Sequence, residues 1–339
     1  MNGNRRVGFV TAYGIGNIRP PLIPLPLPAQ PLLRNIAGCH DYTISPARRI
    51  LPLKTRLRYN IPNDGTRSPP EELIMSMLIK HKPFKGRAEI VKPGLDGLKL
   101  ISFDLLFLEK GMSHTEDTGT REVCAVILGG QCDLAAGGRE WKRAGSRPDV
   151  FSGPAASLFI PAGNTFSVSA SGGSPVEIAL LRCEGGASGD PLFIPPERVK
   201  QNDRGKGNWL RRVHDIVDRD IPASRMLVGE THSPAGNWSS APPHCHDIDN
   251  PPFESDHEEI YFFKCHPSQG FQLIRLYTDD RSLDVAHVVE NNDTVVIDRG
   301  YHPVAAGPGY KGYYLWILAG KSREILMRDD PCHKWLKEC

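Results

Sequence analysis

The sequence predicts an all-β fold, a duplicated β-barrel, on three observations. Gly 33 and Pro 30 make up nearly a fifth of the 339 residues, which suits short strands joined by many turns. Runs of strand length, rich in β-branched and aliphatic residues, recur along the chain, whereas long amphipathic helical periods are scarce. The runs also come in the same order twice, as a repeat should. The length itself suggests two domains of roughly 100–150 residues.

In chain order, residues 1–71 stand apart. Residues 1–63 hold nine Lys or Arg against a single acid, Asp41. The run Pro20-Pro21-Leu-Ile-Pro24-Leu-Pro26-Leu-Pro28 excludes a helix or a central strand. An extended, polyproline-like or disordered N-terminal leader is expected there. An organelle transit segment is the alternative, but this one is poor in serine and interrupted by prolines. Gly14-x-Gly16 lacks the third glycine and the following helix of a dinucleotide site.

Strand signals begin after residue 72, at 98–108 (LKLISFDLLFL), 123–128, 157–160 and 176–182. A polar stretch, 196–208, reads as a linker between a first half at 72–195 and a second at 209–328. Strands resume at 225–229, 260–264, 272–277, 285–289, 294–297 and 313–318. The last residues, 329–339, read as a frayed tail. Each half runs strand, acid followed by a hydrophobic strand (Glu122-Val-Cys-Ala-Val-Ile-Leu; Glu259-Ile-Tyr-Phe-Phe), hairpin, and strand ending in a glycine turn. Those turns are Pro161-Ala-Gly163 and Asp298-Arg-Gly300.

Composition excludes several function classes. A net charge of +2 gives no reason to expect nucleic acid or an anionic membrane. No apolar run approaches the roughly 18–20 residues of a membrane span. Eight cysteines without a CxxC pair fit free thiols in a reducing compartment, the cytoplasm.

The sharpest signal is chemical. Four of the twelve histidines fall between residues 244 and 266. In Gly236-Asn-Trp-Ser-Ser-Ala-Pro-Pro-His244-Cys-His246-Asp, a strand at His244-x-His246 projects both imidazoles from one face. By the same alternation only one of Glu258 and Glu259 can point inward, and Glu259 directly precedes the hydrophobic run. Gly300-Tyr301-His302-Pro303 supplies a third imidazole. Three imidazoles and one carboxylate suit Zn(II), Mn(II) or Fe(II), with coordination positions left for water or substrate. Cys245 should point away from the two ligands. His257 and His266 are expected to be exposed, and Trp209 and Trp238 to be packing residues.

This order of HxH, Glu and a later Gly-x-His is the cupin metal pattern. More specifically, 236–247, 258–261, Tyr277-Thr-Asp-Asp-Arg-Ser-Leu-Asp284 and Arg299-Gly-Tyr-His-Pro-Val304 resemble the 5-deoxy-glucuronate isomerase (IolB) family. So do Pro308-Gly-Tyr310, Tyr313-Tyr-Leu, Thr118-Gly-Thr-Arg-Glu-Val-Cys124 and Phe151-Ser-Gly-Pro154. The likeness covers about residues 72–325. It departs at Asp298, where the family has proline, and says nothing of residues 1–71. It implies a bicupin, two tandem double-stranded β-helix (jelly-roll) barrels, related to 5-keto-4-deoxyuronate isomerase, whose ligands imply the same four positions here. The implied activity converts 5-deoxy-D-glucuronate to 5-dehydro-2-deoxy-D-gluconate in myo-inositol catabolism.

Such chemistry needs a divalent metal as Lewis acid and a general base for the proton beside the carbonyl. Glu254, Glu258, Asp280 and Asp298 are candidates for the base. Tyr301 either donates to a substrate oxygen or fills the barrel rim. Arg281 or Arg275 would pair with the substrate carboxylate, with a hairpin-turn role as the alternative for Arg281. The first half keeps Glu122 at the acid position but has only His114 near it, and Phe166 where the later histidine would be. It is therefore expected to bind no metal and to serve structure or interface. A small sugar acid and further copies of the chain, in a homo-oligomer, are the expected partners. An Fe(II) cupin dioxygenase and a non-catalytic sugar-binding bicupin are the competing readings.

Overall fold

Strands carry the whole architecture. The structure, a computed structural model, describes residues 77–94, 97–186 and 188–338, and among them there is no α-helix, only short 3-10 turns. The leader expected at 1–71 lies outside the described residues. No described helix is long and apolar enough to cross a membrane.

Two large antiparallel sheets repeat one strand order. The first runs Leu192–Ile194, Ser157–Ile160, Arg121–Gly129, Val176–Glu184, Ile101–Leu108, Gly86–Val91. The second runs Leu78–Ile79, Thr294–Ile297, His257–His266, Lys311–Gly320, Met226–Ser233, Arg211–Val217, and adds Lys200–Arg204 at its edge. Each half also has a smaller sheet with the same order. In the first this is Ser113–Asp117, Thr165–Ala170, Cys132–Ala136, Arg139–Ala144. In the second it is Trp238–Ser239, Val304–Ala306, Phe271–Tyr277, Asp284–Glu290.

Both faces of the large sheets are buried, so their central strands are almost continuously apolar. Alternate residues then serve two cores. Ile260 and Phe262 join Phe103, Cys124 and Leu181 in a core between the halves, where the Phe103 and Phe262 rings lie 5.4 Å apart. Tyr261 and Phe263 point the other way, into the second half, with Ile274, Val295 and Tyr314. The six described cysteines are free thiols, and all but Cys332 are buried.

Reciprocal carboxylate clamps join the halves. Glu122, fully buried, accepts from the backbone N–H of Ser224, Arg225 and Met226 at 2.7, 3.0 and 2.8 Å and from the Ser224 hydroxyl at 3.0 Å. Glu258 does the same for Lys99, Leu100 and Ile101, at 2.6, 2.8 and 3.3 Å. Each clamp holds the start of the other half's inner strand. The strand register explains the symmetry: Glu122 lies opposite Cys183 as Glu258 lies opposite Ala319. The position expected for Glu122 is thereby corrected. It corresponds to Glu258, and Val123, opposite Ile160, corresponds to Glu259, opposite Ile297.

Three boundaries differ from expectation. The two-residue strand Leu78–Ile79 pairs with Val295 and Thr294 of the second half. The polar stretch read as a linker contains the strand Lys200–Arg204, whose five exposed residues suit a solvated sheet edge. The chain end is not frayed: Arg328–Asp329 pairs with His244–Cys245, and the buried Asp330 accepts from the Tyr277 hydroxyl at 2.7 Å.

The Glu122 clamp yields a stability prediction. Removing a buried carboxylate strands several buried N–H donors, which costs about 2–4 kcal/mol. Glu122→Ala should lower the urea midpoint by the corresponding amount. An unchanged midpoint at unchanged m-value would contradict the clamp.

Candidate metal centre

The second half's interior gathers His246, Glu259 and His302, whose ligand atoms all lie within 4.8 Å of one another, and sets His244 beside them. His244 and His246 leave a short strand on one face, while the intervening Cys245 is fully buried on the other, its thiol 3.5 Å from Glu254. Glu259 enters from His257–His266, and His302 from the turn after Thr294–Ile297. The Glu259 carboxylate oxygen lies 3.1 Å from His246 Nε2 and 3.3 Å from His302 Nε2. The His302 ring is 5.0 Å from that of His244 and 5.1 Å from that of His246.

The main chain sets the tautomer of all three rings. His244 Nδ1 is 3.1 Å from Pro242 O, His246 Nδ1 is 2.9 Å from His257 O, and His302 Nδ1 is 2.9 Å from Gly300 O. A carbonyl only accepts, so each Nδ1 carries a proton, and the neutral form of each ring keeps its lone pair on Nε2. The Nε2 atoms of His246 and His302 face Glu259, and His302 Nε2 is buried without a hydrogen-bond partner. Burial first, then mutual repulsion among the imidazoles, drives His244 down to about 3. Burial likewise drives His302 down to about 3, against the pull of Glu259. His246 is raised: burial opposes its charge, but Glu259, the His257 carbonyl and Asp247 together favour it more.

Second contacts hold the ligand-bearing segments. Gly300 N–H donates to the Asp247 carboxylate, 2.9 Å from either oxygen, so the residue after His246 pins the turn bearing His302. Gly300 has φ +88°, and a Cβ there would lie 2.7 Å from Tyr277 O. His257, expected at the surface, is 3% exposed. Its Nε2 bonds Ser322 O at 2.9 Å and its Nδ1 the Ser255 hydroxyl at 3.0 Å, and its carbonyl orients His246. Asp247 and His257 were legible only as neighbours of the HxH and the acid strand.

The remaining residues singled out from sequence lie away from this point. Glu258 is the inter-half clamp. Glu254 accepts from Asp247 N–H at 2.7 Å and from Arg328 at 2.6 Å, behind the His244–Cys245 strand. Tyr301 is buried and donates to Asp279 at 2.8 Å. Asp280 caps an exposed turn, accepting from Thr278 and Ser282 at 2.6 and 2.8 Å. Arg275 pairs with Asp284 at 2.8 Å, and both Arg275 and Arg281 lie over the Tyr277 ring, 4.5 and 4.2 Å from its centre. Asp298 pairs with its neighbour Arg299 at 3.2 Å. Trp238, expected to pack, is 44% exposed. In the first half His114 meets Glu116 at 3.1 Å, and Phe166 is buried in the apolar interior.

A cavity of about 240 Å³ opens beside the cluster. His244, Glu259, Tyr261, Tyr314, Ser240, Asp215 and Arg211 line it; Glu254, Glu258, Asp280, Tyr301, Arg275 and Arg281 do not. Arg211 and Asp215 come from the strand Arg211–Val217, which alternates too weakly in hydrophobicity to be seen from sequence. The Ser240 hydroxyl lies 3.1 Å from that of Tyr261 and 3.3 Å from that of Tyr314. Burial holds the Tyr261 hydroxyl well above its ordinary pKa, so it stays protonated.

The donor set fits a divalent cation. Two further groupings of His, Cys and carboxylate exist among the described residues, His214–Glu230–His232 and Cys245–Asp247–Glu254. In each, an arginine already compensates the carboxylate: Arg147 reaches Glu230 at 2.6 Å and Arg328 reaches Glu254 at 2.6 Å. Among the described residues Glu259, 4% exposed, meets only imidazoles within ion-pair distance.

Comparison with known proteins agrees with these features. Residues 78–336 match the model of the KduI/IolB family. A 5-deoxy-glucuronate isomerase of Geobacillus kaustophilus is 41% identical over 268 residues, 78% of this chain and 96% of that one. Its counterpart from Geobacillus thermodenitrificans is 39% identical over 264 residues, 77% and 96% of the two chains. The crystal structure of an IolB-like protein from Salmonella typhimurium superposes with a TM-score of 0.74 at 34% identity, covering 77% of this chain and 98% of that one. Oxalate decarboxylase from Lactobacillus farciminis, at 12% identity and a TM-score of 0.55 over 76% and 87% of the chains, shares the fold. The chain belongs to the KduI/IolB family.

Proposed function

We propose that this protein is a metal-dependent aldose–ketose isomerase that converts 5-deoxy-D-glucuronate to 5-dehydro-2-deoxy-D-gluconate, a step of myo-inositol catabolism. The observation that carries the reading is the meeting of His246 and His302 Nε2 with the Glu259 carboxylate, with the His244 ring beside His302 at the edge of a cavity, in a chain so similar to named 5-deoxy-glucuronate isomerases. Each half is read as a cupin barrel, supported by the repeated strand order, with catalysis confined to the second.

His244, His246, Glu259 and His302 would hold a divalent ion, Zn(II), Mn(II) or Fe(II), as the mixed nitrogen and oxygen donors suit. When bound, such an ion supplies Lewis acidity to the substrate's oxygens as negative charge develops on them. The chain's own residues do the rest. The reaction moves one proton from the carbon beside the aldehyde to the aldehyde carbon and a second from the hydroxyl on the first of these carbons to the aldehyde oxygen, and it balances without any redox partner. Asp215 is the cavity carboxylate assigned to the carbon-to-carbon transfer. Its Oδ2 accepts from Asn202 at 2.8 Å, and it is neither a proposed metal ligand nor, like Asp218, paired with Lys200. Tyr261 remains a donor and stabilises a substrate oxygen.

Incubation with 5-deoxy-D-glucuronate, followed by NMR, tests the reading. Ketose should form without oxygen uptake, and a chelator should stop it. His302→Ala should lose bound metal and lower kcat/KM by on the order of a thousandfold, the scale of several kcal/mol of charge stabilisation. Oxygen consumption by metal-loaded protein, or no conversion, would overturn it. Separately, Asp215→Asn should retain metal while kcat falls by about a hundredfold or more; unchanged turnover would remove Asp215 from the proton path.

A further inference from the structure

A sugar acid brings a carboxylate as well as an aldehyde, and the arginines expected to receive it are engaged elsewhere. Four arginines line the cavity: Arg204, Arg211, Arg219 and Arg323. Arg323 is committed to backbone carbonyls, donating to Met226 O at 3.0 Å, to Ile221 O at 2.7 Å and to Asp218 O. Arg204 and Arg219 are exposed. Arg211 remains, half-buried on the inward face of its strand with Val213 and Asp215.

Arg211 has an unusual environment for a guanidinium. Among the described residues its one side-chain hydrogen bond is a long one, Nη1 to Trp209 O at 3.4 Å, and its charge sits 5.7 Å from the centre of the Trp209 ring. Among the described residues no carboxylate lies within ion-pair distance of it, although the next residue, Arg212, grips Asp203 at 2.7 and 2.9 Å. The two fully buried arginines both hold carboxylates: Arg147 holds Glu230, and Arg182 holds Asp104 and Glu116. Space is kept for Arg211 by Gly205, at φ +78°, where a Cβ would come within 2.9 Å of Arg211 Nη1 and closer still to Trp209. Burial lowers the Arg211 pKa, and the same charge is felt at His244. A cation removed from water and left without an anion is destabilising unless a ligand supplies one.

We propose that Arg211 is the anchor for the substrate carboxylate, taking it in a charge-assisted pair at one end of the cavity while the aldehyde end lies toward His244 and Glu259. The anchor sets both specificity for acids over neutral sugars and the orientation of the reacting carbons. It rests on the isomerase reading above.

The test compares metal-loaded wild type, Arg211→Met and Arg211→Lys on 5-deoxy-D-glucuronate and on 5-deoxy-D-glucose, in which a hydroxymethyl group replaces the carboxylate. Metal content, measured on each, should be equal. Arg211→Met should raise KM for the acid about a hundredfold, with a smaller change in kcat, so that the preference for acid over neutral sugar collapses. Arg211→Lys should recover part of it. An unchanged KM for the acid, or an equal loss on both sugars, would overturn the proposal. If wild type isomerises neither sugar, the isomerase reading fails and calorimetric titration with D-glucuronate still decides on Arg211. About hundredfold weaker binding by Arg211→Met upholds the anchor, and equal binding refutes it.

Discussion

Glu259 is a carboxylate buried inside the second half, and among the described residues no lysine or arginine lies within ion-pair distance of it. Charge in such a place is tolerated only when something of opposite sign is near, and imidazoles surround it. Two of them are held neutral by burial and by each other. All three rings are held at Nδ1 by a backbone carbonyl, which leaves Nε2 as the nitrogen available to a metal. A carboxylate and the Nε2 atoms of His246 and His302 therefore share one small volume with His244 beside it, an arrangement that suits a cation. The loops that carry these groups are shaped to keep them there: Asp247 ties the HxH segment to the His302 turn, and the Arg328–Asp329 strand covers the HxH from outside.

The first half shows the other solution to a buried charge. Val123 stands where the second half has Glu259. Opposite it on the neighbouring strand is Arg182, at the position equivalent to Leu318. The Arg182 guanidinium is 1% exposed and lies 3.0 Å from Asp104 and 2.7 Å from Glu116. A protein cation thus neutralises that interior, and Glu116 is held down to about 2, burial notwithstanding, by His114 and Arg182. The same strand order supports a self-contained ion network in one half and an uncompensated carboxylate beside a cavity in the other. The halves stay in register through the reciprocal Glu122 and Glu258 clamps.

How far the sequence could be read depended on which physical signal each residue carried. His244-x-His246, Glu259 and Gly-x-His302 were legible because strand alternation is strict over two or three residues and glycine marks the turn. The same alternation made Glu122 deceptive. A slip of one residue flips a side chain to the opposite face, and Glu122 opens a hydrophobic strand just as Glu259 does, so only the cross-strand partners distinguish the two. Lys200–Arg204 is wholly polar because it is an exposed edge, and polarity without period looks like linker. Arg211–Val217 mixes buried charges with valines, so its cavity face, Arg211 and Asp215 included, gave no periodic signal. In Tyr277-Thr-Asp-Asp-Arg, conspicuous in sequence, Tyr277 is buried at the end of its strand and Asp279, Asp280 and Arg281 form an exposed turn beside the Arg275–Asp284 pair.

The most direct test of the metal centre is a crystal structure of the metal-loaded protein with anomalous data collected at the metal's absorption edge. The account predicts one anomalous peak per chain, inside the second half, with the Nε2 atoms of His244, His246 and His302 and a Glu259 oxygen at about 2.0–2.2 Å. The first half should carry none. A peak at His214–Glu230–His232 or in the first half, ligation through Nδ1, or an empty cluster in protein saturated with metal would contradict it.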